Sequence, residues 1–194
     1  DVGDLNPFVE SLENREADLI VQQYKLMNTE SNKIRHSDTK DILNLVSNPG
    51  LWRIAIRRSF LNGVKFPALS MAEDQVFIFN LLTMNPKIEF SKSLTYSYFV
   101  GSGAQLTSQK NKMRDLPKSM KLISATDCRN TYGSEFIQLL FLEKILAATM
   151  KHAEMRIICQ SIKIFTEYFF RNISRKFLIN FIKSTAWLVR VNAS

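Results

Sequence analysis

The sequence predicts an α/β fold in which strands and helices are mixed in the first part and helices alone follow. In residues 1–108, short runs of β-favouring residues alternate with helix starts and turns. From residue 109 onward, apolar residues recur at the helical period, most regularly over 135–150. Residues 105–194 also hold 15 Lys and Arg against 6 Asp and Glu, whereas residues 1–104 hold 11 against 12. The chain therefore divides into a mixed region, 1–108, and a basic helical region, 109–194.

The mixed region opens with an acidic segment and a helix start. Asp1 and Asp4 precede Asn6 and Pro7, and an Asn N-cap with Pro at the first helical position predicts a helix over 6–14. The next predicted elements, in order, are a strand at 17–24, a flexible polar loop at 28–38, a helix at 39–47, a strand or helical turn at 51–58, a turn at 62–63, a central helix, and strands at 87–90 and 94–100.

The central helix is predicted from a capping pattern and a long apolar run. Ser70 is a good N-cap and Glu73 follows three residues later, which is the spacing of a capping box. Residues 76–84 are apolar almost all round, so the helix is expected to be buried on most faces. Glu73 and Asp74 therefore stand at the front of a buried helix, where they either cap it or face a cleft.

The basic helical region combines cations with large apolar residues. Its predicted helices are at 135–150, 157–170 and 177–189. From residue 151 onward, Lys and Arg alternate with Ile, Phe, Leu and Trp187. This amphipathic pattern suits an anionic membrane surface, and it equally suits a helical bundle packed on the mixed region.

Cysteine spacing and hydropathy bear on location. Cys128 and Cys159 form neither a disulfide framework nor a metal-ligand pattern, so each is predicted to be a buried thiol in a cytoplasmic protein. No run of eighteen apolar residues occurs, so no membrane span is predicted. Nucleic acid is not an expected partner, because the basic residues are dispersed among apolar ones without a nucleic-acid-binding motif.

Three stretches together resemble the second half of a family 2 glycosyltransferase of the GT-A fold. The first is Asp-Val-Gly-Asp-Leu-Asn-Pro at 1–7 with Ala-Asp-Leu-Ile-Val at 17–21, similar to the acidic metal loop of the family and a strand beyond it. The second is Pro-Gly-Leu-Trp-Arg at 49–53 with Arg-Arg-Ser-Phe-Leu at 57–61. The third is Glu-Asp-Gln-Val-Phe at 73–77, with Tyr-Ser-Tyr at 96–98 and Gln-Leu-Thr at 105–107 behind it.

The chain departs from the family pattern at two points. Gly3 stands where the family commonly has a second acidic residue, which leaves Asp1 and Asp4 as the acidic pair. The nucleotide-binding half of the family has no counterpart in these 194 residues, so the resemblance implies a C-terminal half that begins at the metal loop. The Gln-x-x-Arg-Trp signature of processive synthases is not found either, which favours single sugar additions.

The resemblance implies an inverting, metal-dependent hexosyltransferase. It would move a sugar from a nucleotide-sugar donor to a glycan or lipid-linked acceptor in bacterial cell-surface polysaccharide synthesis. Asp4, aided by Asp1, would hold the divalent cation, Mg²⁺ or Mn²⁺. Asp74 would be the general base that takes the proton of the acceptor, and Glu73 would help to position that acceptor.

Other interpretations of the same residues stay open. Trp52 and Arg53 would line the acceptor or diphosphate side of a cleft, although Trp52 is more typical of a packed core and Arg53 of a solvated face. The alternative functions are a non-enzymatic basic helical protein that binds a membrane or another partner, and an inactive truncated transferase. An anionic membrane surface as partner would place the cytoplasmic protein peripherally on the inner face of the cell membrane.

Overall fold

The computed structural model describes residues 6, 9, 16–28, 31, 33–36, 41–100, 110–128 and 134–172, which form a mixed α/β fold. The strands described there are β1 (Leu19–Asn28), β2 (Ile34–His36), β3 (Ile54–Ile56) and β4 (Ile88–Val100). The helices are α1 (Ile42–Ser47), α2 (Glu73–Thr83), α3 (Leu116–Ala125), α4 (Ser134–His152) and α5 (Met155–Asn172). Short 3₁₀ helices occupy Leu51–Arg53 and Lys110–Asp115.

Strand β1 is the centre of a mixed sheet. Strand β4 runs parallel to β1 over its whole length, from Leu19 opposite Ile88 to Asn28 opposite Val100. Strand β3 pairs antiparallel with the start of β1, and β2 pairs antiparallel with its end. Because a strand has two hydrogen-bonding edges, β2 and β3 share the edge of β1 that β4 leaves open.

Asp18 fixes the start of β1 against both neighbouring strands. Its backbone N–H donates to the carbonyl of Lys87 at 2.8 Å, and its carboxylate accepts from the backbone N–H of Lys87 at 2.9 Å. On the opposite edge, the backbone N–H of Arg57 donates to the carbonyl of Asp18 at 2.9 Å. The guanidinium of Arg57 also donates to the carbonyl of Ala17, at 3.0 and 2.7 Å. These bonds hold β3 and β4 in register on β1.

Helix α2 is buried on most faces, as its sequence predicts. Its buried residues are Val76, Phe77, Ile78, Phe79, Leu81 and Leu82. Phe77 stacks on Phe66 with ring centroids 4.0 Å apart, and Phe79 meets Phe141 of α4 edge-on at 5.6 Å. The same hydrophobic cluster includes buried residues from β1, α3, α4 and α5. The residues after 109 therefore complete the core of the residues before 108.

Several predicted elements differ from the observed ones. The predicted loop at 28–38 contains β2, because Asn28 accepts a hydrogen bond from the backbone N–H of Ser31 at 2.9 Å and turns the chain back onto β1. The 51–58 stretch contains both alternatives, a 3₁₀ helix and then β3. The strands predicted at 87–90 and 94–100 are one strand, β4. The predicted helices at 6–14 and 177–189 lie largely or wholly outside the described residues.

No helix in the described part of the chain is long and apolar enough to cross a membrane. The two cysteines differ in exposure: Cys128 is buried as predicted, whereas Cys159 is exposed, so that prediction is wrong for Cys159. Cys159 is exposed because it lies on the side of α5 that faces away from the core.

A buried polar network joins α3, α4 and α5 through Gln138 of α4. Its amide oxygen accepts from the hydroxyl of Tyr168 on α5 at 2.7 Å and from the thiol of Cys128 at 3.0 Å. Its amide nitrogen donates to the carbonyls of Ile123 and Thr126, at the end of α3. One amide therefore makes four hydrogen bonds at the junction of these helices, and burial raises the pKa of Tyr168.

Replacement of this amide tests the network. Gln138→Leu removes the four hydrogen bonds of this amide at once, so we expect the free energy of unfolding to fall by about 3 kcal/mol or more. Tyr168→Phe removes one hydroxyl and should cost about 1 kcal/mol. Urea unfolding of both variants measures the difference. Equal stability of the two variants would show that Gln138 is not the centre of the network.

Candidate active site

Helix α3 holds the segment 70–72 that leads into α2. The backbone N–H of Ser70 donates to Oδ2 of Asp115 at 2.8 Å. The hydroxyl of Ser119 donates to the carbonyls of Met71, at 3.0 Å, and of Asp115, at 3.1 Å. Lys118 binds the other carboxylate oxygen of Asp115 at 2.7 Å, and this bond lowers the pKa of Asp115. Residues from the basic helical region therefore set the start of α2.

The predicted capping box is wrong. The residue that precedes α2 is Ala72, in the left-handed region at φ 60° and ψ 21°, and it makes no side-chain cap hydrogen bond. Ser70 lies two residues before the N-cap position, and its backbone N–H is bound to Asp115. A positive φ costs a non-glycine residue on the order of 1 kcal/mol, and strain of this kind is found at functional sites.

Asp74 is a half-buried carboxylate in the first turn of α2. Its Oδ1 accepts a hydrogen bond from the backbone N–H of Gln75 at 2.8 Å. Burial raises the pKa of Asp74 from 3.8 to about 6, and the neighbouring charge of Glu73 adds to that rise. The Gln75 bond and the positive charge of Lys144 act in the opposite direction. The negative charge of the adjacent Glu73 therefore favours the protonated form of Asp74.

Lys144 of α4 brings a cation to this carboxylate. Burial lowers the pKa of Lys144, whereas the charge of Asp74 raises it. Its ammonium donates to the carbonyl of Ser47, at the end of α1. Sequence reasoning missed Lys144, although one signal was present: Glu143 and Lys144 are the only charges within the apolar stretch 136–150.

Arg53 is a buried structural cation rather than an open substrate contact. Its side chain is 0% exposed, so the prediction that it lines a cleft is corrected. The guanidinium donates to the carbonyls of Asn44, at 3.2 Å, and of Asn48. It also lies over the ring of Tyr24, 5.4 Å from the centroid, and burial lowers its pKa to about 10. Arg53 therefore joins the 3₁₀ helix to the end of α1.

Trp52 packs on the sheet with part of its indole exposed. The indole stacks on Tyr96 and Tyr98 of β4, with centroids 4.5 and 5.4 Å apart, and meets Tyr24 edge-on at 4.8 Å. A Cβ on Gly50 would lie 2.6 Å from the indole, so Gly50 packs against Trp52. Trp52 is 37% exposed. It has a packing role and an open edge, which leaves its predicted substrate contact a prediction.

The predicted metal ligands are not part of this arrangement. Asp1 and Asp4 lie outside the described residues. Among the residues that the structure describes, no group of three or more His, Cys, Asp or Glu is placed to hold a metal ion.

Comparison with protein-family models, with curated proteins and with solved structures finds no match for this chain. The fold and the site define a mixed α/β protein with a half-buried carboxylate at the start of its central helix and a half-buried lysine of α4 whose charge acts on it. The function is therefore inferred from these residues and from the resemblance of the sequence motifs.

The raised pKa of Asp74 predicts how stability varies with pH. The folded chain favours the protonated acid, so the stability from this group is fully present below pH 3.8 and is lost as pH rises through about 6. Asp74→Asn removes this cost, so the variant should exceed the wild type by about 3 kcal/mol at pH 7.5. At pH 3.5 the difference should vanish. Urea unfolding at both pH values measures it, and an equal difference at both would contradict the burial of an ionised Asp74.

The charge of Lys144 predicts a second shift. Lys144→Met removes the cation that lowers the pKa of Asp74, so that pKa should rise above about 6. Carbon-detected NMR titration of the Asp74 carboxyl measures it. Lys151→Met is the matched control, because Lys151 is an exposed lysine on the same helix and should leave the titration unchanged. An unchanged pKa of Asp74 in Lys144→Met would show that the charge of Lys144 does not act on Asp74.

Proposed function

We propose that this chain carries the acceptor-activating part of an inverting glycosyltransferase, with Asp74 as the general base. The observation that supports the proposal is the pKa of about 6 of a half-buried carboxylate at the start of α2. A base with a pKa close to the working pH is ionised for most of the time and still accepts a proton readily. An ordinary exposed aspartate, with a pKa near 3.8, is a weaker base.

The proposed reaction is a single displacement at the anomeric carbon of a nucleotide-sugar donor. A hydroxyl of the glycan or lipid-linked acceptor attacks that carbon and forms the new glycosidic bond. The bond from the anomeric carbon to the diphosphate oxygen breaks, the nucleoside diphosphate leaves, and the proton of the hydroxyl passes to Asp74. A single displacement inverts the configuration. The donor class comes from the resemblance of the three motifs.

The neighbours of Asp74 support its role as base. Two opposing influences, burial and the Lys144 charge, keep its pKa between that of a free aspartate and neutrality. The α-helix N-terminus also favours a negative charge at this position. The bonds of Asp115 and Ser119 to the 70–72 segment hold the first turn of α2 in place. The carboxylate is therefore positioned before an acceptor arrives, which is how a protein reduces the entropic cost of reaction.

The other predicted site residues have roles in the same proposed reaction. Glu73 helps to orient the acceptor beside Asp74, and the exposed edge of Trp52 provides an apolar wall for a sugar ring. Asp4 and Asp1 would hold Mg²⁺ or Mn²⁺, which would neutralise the leaving diphosphate when bound. Both aspartates lie outside the described residues, so the proposed role of Asp74 rests on its own contacts and on the motif at 73–77.

Substitution of the base tests the proposal. In the complete protein, supplied with Mn²⁺ and a panel of nucleotide sugars, Asp74→Asn should lower the transfer rate by about 10²–10⁴-fold, because the amide cannot take the proton. Transfer is measured as release of nucleoside diphosphate that depends on an added acceptor. The wild-type rate should rise with pH through about 6, as Asp74 ionises.

Asp41→Asn is the matched control. Asp41 caps α1 by accepting from the backbone N–H of Asn44 at 2.8 Å, and asparagine caps a helix equally well. This variant should transfer at the wild-type rate. Near-normal transfer by Asp74→Asn would remove the general-base role, and the absence of transfer with every nucleotide sugar would count against the transferase as a whole.

A further inference from the structure

Helix α5 has two opposite stripes, one buried and one exposed. The buried stripe, which faces the core, consists of Ile157, Ser161, Ile164 and Tyr168. Successive residues advance by about 100° around a helix, so residues spaced by three and four lie along one side. The outer face of α5, on the opposite side, consists of Met155, Cys159, Ile162, Thr166 and Phe170.

The outer face of α5 exposes large apolar side chains. Phe170 is 83% exposed, Met155 is 71% exposed and Ile162 is 40% exposed. The stripe from Met155 to Phe170 is about 22 Å long at the rise of an α-helix. Single exposed apolar residues are ordinary, but a continuous stripe of this length is typical of a surface that binds something.

Cations flank the outer face of α5 along its length. Arg156, Lys163 and Arg171 are spaced by seven and eight residues, so they lie on one flank of the helix, and all three are exposed. Glu167 is on the same flank, where its carboxylate lies 4.0 Å from the ammonium of Lys163. Three cations against one anion leave this flank positive. The charge agrees with the excess of Lys and Arg in residues 105–194.

We propose that the outer face of α5 binds the surface of an anionic lipid bilayer. The helix would lie in the plane of the membrane, with Met155, Ile162 and Phe170 at the boundary between headgroups and acyl chains. The flanking cations would meet the lipid phosphates. A helix with an apolar stripe beside cations has the composition of an interfacial helix, and its rigid attachment to the core through the buried stripe orients the whole domain on the membrane.

Charge argues against a second copy of the chain as the occupant. A symmetric contact places the same surface of both subunits together, so two outer faces would bring six cations into one interface. Like charges brought together at an interface oppose association, whereas anionic lipid neutralises them. The proposal is independent of sugar transfer, because vesicle binding is measured without donor or acceptor.

Vesicle flotation tests the surface. The wild-type chain should float with phosphatidylcholine vesicles that contain phosphatidylglycerol, and not with phosphatidylcholine alone. R156Q/K163Q/R171Q should bind about a hundredfold more weakly, because each cation contributes about fivefold near an anionic surface. M155S/F170S should also lose binding. Both variants should unfold at the wild-type urea concentration, since all five side chains are exposed. The charge-matched control is K65Q/K87Q/K92Q, which should float like the wild type.

Cys159 offers a direct readout, because it lies on the outer face and Cys128, the other cysteine of the chain, is buried. A polarity-sensitive maleimide on Cys159 should shift its emission to the blue with anionic vesicles. Flotation that persists in both outer-face variants, or no flotation of the wild type, would overturn the proposal. A blue-shifted probe in a dimer without vesicles would also overturn it and assign the outer face to self-association.

Discussion

The start of α2 depends on hydrogen bonds that come from α3. Asp115 accepts a hydrogen bond from the backbone N–H of Ser70, and the hydroxyl of Ser119 donates to the carbonyl of Met71. The residue that precedes the helix, Ala72, lies in the left-handed region. Helix α2 is so apolar that its stability comes mainly from burial, and burial alone does not fix the residue at which the helix begins. The hydrogen bonds of Asp115 and Ser119 fix the start of the helix, and Glu73 and Asp74 therefore lie in its first turn.

The end of α1 is the second point at which distant parts of the chain meet. Lys144 binds the carbonyl of Ser47, and Arg53 binds the carbonyls of Asn44 and Asn48. Burial lowers the pKa of both cations. The charge of Lys144 lowers the pKa of Asp74, and the charge of Arg53 lowers that of Lys144. Hydrogen bonds to carbonyl groups replace part of the hydration that a buried cation loses. The buried and half-buried charges around Asp74 therefore lower the stability of the fold. Perturbed carboxylates of this kind cluster at functional sites.

Helix α5 has a buried stripe on one side and an exposed apolar stripe on the other, and both follow the helical period. One stripe completes the core and includes Tyr168, whose hydroxyl binds Gln138 in the network that joins α3, α4 and α5. The opposite stripe remains exposed and lies beside a positive flank. Because the buried stripe is fixed to the rest of the domain, the orientation of the exposed stripe relative to the sheet and to Asp74 is fixed as well.

Secondary-structure elements with local sequence signals are predictable from this sequence. The apolar run of α2, the strand β1 and the helical period of α4 and α5 were predicted because neighbouring residues carry the pattern. The role of Asp74 as general base, which comes from the adjacent carboxylates and the family resemblance, stays a prediction. The cap of α2, the burial of Arg53 and the effect of Lys144 on Asp74 arise only in the folded chain. Each depends on residues far apart in the chain, such as Ser70 with Asp115 and Ser47 with Lys144, and their pairing follows from packing rather than from sequence spacing.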